Sequence, residues 1–126
     1  HCRLRRQRQM CIRDSKYMDK IQNLFKHYDF LALPSAQLFP FEKNLNNPEF
    51  INDNKIDTYH RYMEVYTLSS LLGLPTISIP VGFNNKGLPM GMQIIANVKE
   101  DNKVINFANS YEEIFNFSKF KPKLMQ

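Results

Sequence analysis

The sequence has few of the residues on which small secreted or catalytic domains depend. It contains two cysteines, four glycines and no tryptophan in 126 residues. Both cysteines, Cys2 and Cys11, lie in one short N-terminal stretch, so they do not form the disulfide framework of a secreted domain. No two glycines are adjacent, which excludes a glycine-rich loop that binds phosphate or an oxyanion.

Long apolar runs are also absent. No run approaches the roughly 20 residues that a membrane-spanning helix needs, and no charged and then apolar leader with a small-residue cleavage site is present. Hydrophobic residues make up 43% of the sequence and aromatic residues 13%, which is typical of a globular domain. We therefore expect one cytoplasmic domain without a membrane partner.

The net charge of +5 is concentrated at one end of the chain. Residues 1–15 contain five arginines and one aspartate, a net charge of +4, and the remainder carries only +1. A basic tail can bind phosphate, but this one has no interleaved aromatic residues, so we expect no nucleic-acid partner. The segment "RQRQMCIRDS" resembles read-through translation of sequencing-adapter DNA. We expect residues 1–15 to be a disordered, non-native arm, 16–122 to form the domain and 123–126 to be a tail.

Apolar residues that recur every three or four positions predict three helices, over residues 16–28, 58–72 and 101–115. The first carries the apolar positions Met18, Ile21, Leu24, Phe25 and Tyr28. The second is expected to end at Gly73, and the third to begin with Asp101 as its N-cap residue.

Two other segments predict strands. Residues 30–33 are wholly apolar and precede Pro34, a pattern that favours a strand buried on both faces of a parallel sheet. Residues 76–83 and 88–96 alternate in polarity around the turn "NNKG", which predicts an antiparallel hairpin. The predicted core is Ile77, Ile79, Val81, Met92 and Ile94. Gly82 and Gly91 are expected to permit close packing. The fold is thus predicted to be α/β, with a mixed sheet flanked by helices.

The connection over residues 35–57 is too long for an ordinary loop of a compact domain. It contains Phe39, Pro40, Phe41 and Asn47. Because loops of this kind line binding pockets, we expect the segment to approach the mouth of a substrate site.

No arrangement of reactive residues in the sequence defines a catalytic centre. The candidate nucleophiles are Ser35, Ser69, Ser70 and Ser78, and the candidate bases are His27 and His60. None of these serines lies in a Gly-x-Ser-x-Gly turn. His60 and Glu64 share a helical face, but two ligands do not make a metal site, and Glu64 is expected to form a solvated ion pair. The acidic pairs Glu100-Asp101 and Glu112-Glu113 are interpreted as exposed helix-end charges. Tyr59, Tyr62 and Tyr66 are interpreted as core residues, with the wall of a substrate site as the second interpretation.

Three stretches together resemble the C-terminal part of the amidase signature family. They are "DFLALPSAQLFPF", "DTYHRYMEVYTLSSLLGLPTISIPVGF" and "GLPMGMQIIANVKEDNKVINFANSYEE", and they cover most of residues 16–122. The resemblance implies a large mixed sheet with helices on both sides. It also implies an enzyme that hydrolyses amide bonds of small molecules or serves as a transamidase subunit.

The same resemblance implies chemistry that uses a lysine, a bridging serine and a nucleophilic serine, without a cofactor. Those motifs belong to the N-terminal and middle parts of the family's domain, so no catalytic, substrate-binding or metal residue is assigned here. We expect the chain to be the C-terminal fragment of an amidase, inactive alone, whose partners are the missing part of the domain and a small-molecule amide. The alternatives are a fragment of a transamidase subunit and a non-catalytic module that binds a partner.

Overall fold

The computed structural model describes residues 15–120, which form a three-stranded sheet with helices on both faces. The helical segments are α1 over residues 15–24, α2 (Tyr59–Tyr62), α3 (Glu64–Leu72), α4 (Asp101–Phe115) and a 3-10 turn (Phe117–Lys119). The strands are β1 (Leu31–Pro34), β2 (Phe50–Ile51), β3 (Asn54–Lys55), β4 (Thr76–Phe83) and β5 (Pro89–Ile95). The predicted α/β fold is confirmed. The arm and the tail lie largely outside the described residues, and Ser15 already belongs to α1.

The predicted hairpin of β4 and β5 is confirmed and forms the centre of the sheet, whose strand order is β1-β5-β4. Its strands are antiparallel, with Ile77 opposite Ile94 and Ile79 opposite Met92. The turn is held by the Asn84 side chain, whose Oδ1 accepts the backbone N–H groups of Lys86 and Leu88, each at 2.9 Å. This carbonyl fixes the turn and therefore the register of the two strands.

β1 differs from the prediction of a strand buried on both faces of a parallel sheet. It pairs antiparallel with β5, with Leu31 opposite Ile95 and Leu33 opposite Gln93. Its residues alternate between half-buried and exposed. The prediction was wrong because β1 is an edge strand of the described sheet, where Ala32 and Pro34 are left uncovered. An apolar run by itself does not specify strand direction.

Each face of the sheet carries one apolar cluster. Ile79, Ile94, Ala96 and Val104 form the cluster beneath α4. Ile21, Leu74 and Ile95 form the other, against α1 and α3. Of the predicted core, Ile79 and Ile94 are confirmed with exposed fractions of 5% and 2%, whereas Ile77 and Met92 are only partly buried. Ile95 was not predicted as a core residue. It is fully buried, because helices cover both faces of β5.

Val81 was wrongly predicted as a core residue, because a β-bulge interrupts the alternation of β4. Pro80 pairs with Gly91 and Gly82 pairs with Met90, so Val81 has no partner on β5. Its side chain is 40% exposed. Gly82 has a φ of +150°, and a Cβ added there would meet nothing within 4 Å. The prediction of close packing at Gly82 was therefore wrong, and the glycine is needed for its backbone conformation.

Gly82→Ala is expected to destabilise the chain by about 1–3 kcal/mol, because an L-residue is strained at this φ although space for the methyl group exists. Urea denaturation followed by circular dichroism measures the change. Lys86→Ala, at an exposed position of the neighbouring turn, is the control and is expected to change the free energy of unfolding by less than about 0.5 kcal/mol. Equal stability of the two variants would contradict the bulge.

The helices differ from their predicted bounds in local ways. The helix predicted over 58–72 is interrupted at Met63 and becomes α2 and α3, although it ends at Gly73 as predicted, with a φ of +60° there. α1 ends at residue 24 instead of 28. Asp101 was predicted as an N-cap, but Glu100 precedes the helix and Asp101 lies in its first turn. There its carboxylate is favoured by the positive end of the helix dipole.

The long connection over residues 35–57 contains a small hairpin, β2 and β3, which the sequence analysis did not predict. Phe50 lies opposite Lys55 and Ile51 opposite Asn54. Asn52 and Asp53, between the strands, have φ values of +46° and +63°. Two consecutive positive φ values match the two-residue turn that suits the twist of a hairpin, and asparagine and aspartate tolerate them best.

Candidate functional site

Two serine hydroxyls form an exposed hydrogen bond above β5, on the face of the sheet that carries α1 and α3. Ser35 Oγ and Ser78 Oγ are 2.6 Å apart, although β5 separates their strands. Gly91 of β5 makes this contact possible, since a Cβ added there would lie 3.0 Å from Ser35 Oγ and 3.2 Å from the Ile79 carbonyl oxygen. The backbone N–H of Ser35 also donates to the Gly91 carbonyl at 2.9 Å. The close packing predicted at Gly91 is confirmed.

The Ser35–Ser78 pair lacks what a nucleophile needs. A serine becomes nucleophilic when an adjacent base takes its proton, and each of these hydroxyls has the other as its side-chain partner. Within residues 15–120, neither His27 nor His60 is hydrogen-bonded to either hydroxyl. We call the two hydroxyls of Ser35 and Ser78 the platform. Within residues 15–120 the platform can donate and accept hydrogen bonds.

Gln93 is the most buried polar side chain of the described residues, with an exposed fraction of 4%. It lies next to the platform and forms a hydrogen bond with α3. It follows Gly91 by two positions on β5 and shares its face of the sheet. Its amide nitrogen donates to the carbonyl oxygen of Pro34 at 3.0 Å and to that of Val65 at 2.8 Å. One side chain thus joins the end of β1 to α3. The sequence analysis missed Gln93, whose signal was a polar residue in an otherwise apolar strand.

A cavity of about 370 Å³ adjoins the platform through Gly91. We call it the apolar cavity, and its lining includes Ala36, Leu38, Phe41, Tyr62, Met90 and Gly91. The rings of Phe41 and Tyr62 meet edge to face, with centroids 6.0 Å apart. The loop predicted to approach a substrate site therefore supplies one wall of a cavity through Phe41 and Pro40, whereas Asn47 does not line it.

Tyr59, Tyr62 and Tyr66 lie near one another on α2 and α3. Burial raises the pKa of Tyr66, and the nearby Tyr62 and Tyr59 hydroxyls raise it further. The raised pKa keeps the Tyr66 phenol protonated at neutral pH, so Tyr66 serves as a hydrogen-bonding group and not as a base.

The structure does not bring the other candidate residues together. Ser69 donates to the Tyr66 carbonyl within α3, and Ser70 is exposed on the same helix. Glu64 forms the expected solvated ion pair, with its carboxylate 3.6 Å from Arg61. Among residues 15–120, no three histidine, cysteine, aspartate or glutamate side chains are grouped so that they could hold a metal ion.

The acidic residues at the ends of α4 have structural partners. Glu100 and Asp29 both contact the Lys103 ammonium, at 3.4 Å and 2.9 Å, and the hydrogen bond with Asp29 raises the pKa of Lys103. Glu112 accepts the backbone N–H of Ser118 at 2.9 Å, and hydrogen bonds from Ser118 lower the pKa of Glu112. Hydrogen bonds that favour the charged forms thus hold α4 to its neighbouring loops.

This α/β arrangement of a central hairpin with helices on both faces is consistent with part of the fold of a known enzyme class. The chain belongs to the Amidase family, whose sequence profile matches residues 3–105. The resemblance identified from the sequence is confirmed. The match begins inside the basic arm, and the non-native origin of residues 1–15 stays a prediction.

Curated relatives within this class are subunits of glutamyl-tRNA(Gln) amidotransferase. The chain is 41% identical over 91 residues to such a subunit from Prochlorococcus marinus (strain AS9601), an alignment that covers 71% of this chain and 17% of the relative. It is 33% identical over 106 residues to the protein of the same name from Rickettsia bellii (strain OSU 85-389), covering 82% of this chain and 20% of the relative. The chain spans about a fifth of the length of these relatives. No helix within residues 15–120 is long and apolar enough to cross a membrane.

Proposed function

We propose that this chain is the C-terminal part of a cytoplasmic amidase that hydrolyses the C–N bond of a small carboxamide. The serine and lysine groups of the reaction lie in a part of the domain outside this sequence. The chain supplies the central hairpin and the wall of the substrate site, and it needs no cofactor. Its partners in this proposal are the rest of its own domain and the amide, with neither a nucleic acid nor a membrane.

The observation that carries the proposal is the family match combined with the small share of the relatives that the chain spans. Amide hydrolysis requires a nucleophile, a base and oxyanion donors in mutual contact. In the described residues, the serines and histidines do not supply such an arrangement. We therefore propose that the rest of the domain supplies these groups.

Two alternatives have specific support. The names of the relatives favour a fragment of a transamidase subunit that acts on glutamyl-tRNA(Gln). Exposed apolar side chains favour a module that binds a partner, and among them are Val81, Phe83, Ile114, Phe115 and Phe120. We prefer the amidase because the apolar cavity and the neutral hydroxyl platform suit an uncharged small amide.

The purified chain is expected to turn over no simple aliphatic or aryl amide, because Ser35 and Ser78 have each other and no base as side-chain partner. Ammonia release from acetamide and benzamide measures this. Ser78→Ala tests the platform serine, and Ser70→Ala tests the candidate serine at an exposed helical position. Turnover by the chain that either substitution abolishes would make that serine a nucleophile and contradict the proposal.

The proposal is tested directly by supplying the missing part of the domain. Residues 16–126 are joined in frame to the upstream part of the Prochlorococcus marinus relative, in place of its matching segment. Ammonia release from a small carboxamide without tRNA supports the amidase. Amidation of glutamyl-tRNA(Gln) without such hydrolysis supports the transamidase alternative, and a soluble hybrid inactive in both assays supports the partner-binding module.

A further inference from the structure

A glutamine of the long connection, Gln37, forms hydrogen bonds with the backbone at the interruption between α2 and α3. In a continuous α-helix the N–H of Tyr66 would donate to the Tyr62 carbonyl, but here it donates to the Met63 carbonyl at 3.0 Å. The amide nitrogen of Gln37 donates instead to the carbonyl oxygens of Arg61 at 2.7 Å and Tyr62 at 3.0 Å. Gln37 thus supplies hydrogen bonds at the carbonyls that end α2.

These two hydrogen bonds connect the two walls of the apolar cavity. Gln37 lies between Ala36 and Leu38, which line the cavity on the loop side, and its acceptors include Tyr62, which lines it on the helix side. The edge-to-face contact of Phe41 with Tyr62 completes the same junction. The separation of the walls therefore depends on the Gln37 amide.

The lining of the apolar cavity presents no charged side chain. Tyr62 is the lining residue that carries a hydroxyl, and the Ser35 hydroxyl of the platform lies beside Gly91 at the edge of the lining. A volume of about 370 Å³ lies at the small end of the range for ligand sites. This combination suits an uncharged, ring-sized apolar group with a polar substituent directed toward the serines.

We propose that the apolar cavity is the specificity subsite for the apolar group of the carboxamide, and that Gln37 is a positioning residue that sets its width. The choice of an amide rests on the proposed function. The expected preference of this subsite for an uncharged ring over a small or charged group rests only on the volume and the uncharged lining of the cavity. Phe41, Tyr62 and Met90 would contact the ring, and Gly91 forms the part of the lining that lies next to Ser35.

The test is a titration of the purified, isotope-labelled chain with benzamide, followed by NMR, with acetamide as the amide without a ring. We expect saturable shifts of the Met90 methyl and of the Phe41 and Tyr62 ring signals with benzamide, at a Kd on the order of a millimolar. Acetamide is expected to give no saturation over the same range. This assay measures binding and not turnover. Benzamide can therefore fail to bind while the proposed amidase activity is found, and benzamide can bind while no amidase activity is found.

Matched glutamine variants test the role of Gln37. Gln37→Glu keeps the shape of the side chain but replaces the donor amide by a carboxylate that faces two carbonyls, so we expect binding to weaken at least about fivefold. Gln22→Glu, at an exposed position of α1, makes the same change of charge and is expected to leave binding unchanged. Phe41→Ala, at a partly exposed loop position, tests the wall without altering these hydrogen bonds and is also expected to weaken binding.

Three results would overturn the inference. They are the absence of saturable benzamide shifts at the cavity signals of the folded chain, equal responses to acetamide and benzamide, and equal effects of Gln37→Glu and Gln22→Glu. If Gln37→Glu unfolds the chain, the Phe41→Ala comparison decides, because unchanged benzamide affinity in that variant excludes the cavity as the binding site.

Discussion

Replacing Ile79 by aspartate is expected to leave the chain unfolded. The Ile79 side chain is 5% exposed and packs in the cluster beneath α4 with Ile94 and Val104. An ionised carboxylate there would have no partner among these apolar side chains, and burial of an unpaired charge removes several kcal/mol from a domain that has about 5–15 in total. Loss of the far-ultraviolet circular dichroism signal and of NMR dispersion measures the effect.

The control for this prediction lies two residues along the same strand. A regular alternation puts Ile79 and Val81 on the same buried face, so the sequence pattern alone predicts that aspartate unfolds the chain at either position. The bulge leaves Val81 40% exposed and without a partner on β5. Val81→Asp is therefore expected to fold, with a change in stability below about 1 kcal/mol. Unfolding by both substitutions would show that the bulge is absent.

The contrast between Ile79 and Val81 also shows how far sequence reasoning extends in this molecule. Periodicity predicted the hairpin, the three helical regions and the buried residues Ile79 and Ile94, because burial follows from the spacing of apolar side chains. It did not predict the bulge, since that depends on a single backbone angle at Gly82. The antiparallel pairing of β1 was missed for a similar reason, because strand direction depends on the neighbouring strand.

The candidate site was harder to predict than the fold. The long loop was expected near a pocket, and Phe41 does line the apolar cavity. The residues that organise the cavity were missed, because Gln37 and Gln93 act on backbone carbonyls of distant elements, 24 to 59 residues away along the chain. Such contacts leave no periodic signal. Likewise, Ser35 and Ser78 meet only because Gly91 lies between them.

Gln93 is expected to be the polar residue on which stability depends most. Its amide satisfies the Pro34 and Val65 carbonyls, and both would lose this donor in Gln93→Leu. A typical hydrogen bond contributes about 0.5–1.5 kcal/mol, so loss of these two is expected to lower the free energy of unfolding by roughly 1–3 kcal/mol in urea denaturation. A loss below about 1 kcal/mol would mean that water or a local shift replaces the amide.

Gln93→Glu is expected to make stability depend on pH in a defined direction. The protonated carboxyl can donate to one carbonyl, whereas the ionised form is buried and faces two carbonyl oxygens, so the pKa of the introduced group is raised in the folded state. The variant is then most stable below the unfolded-state pKa of about 4.3, and it loses stability as the pH rises through the folded-state pKa. Gln22→Glu, exposed on α1, is the control and is expected to follow the pH profile of the unsubstituted chain. Urea denaturation at a series of pH values measures both, and parallel profiles for the two variants would show that the Gln93 side chain is not buried against these carbonyls.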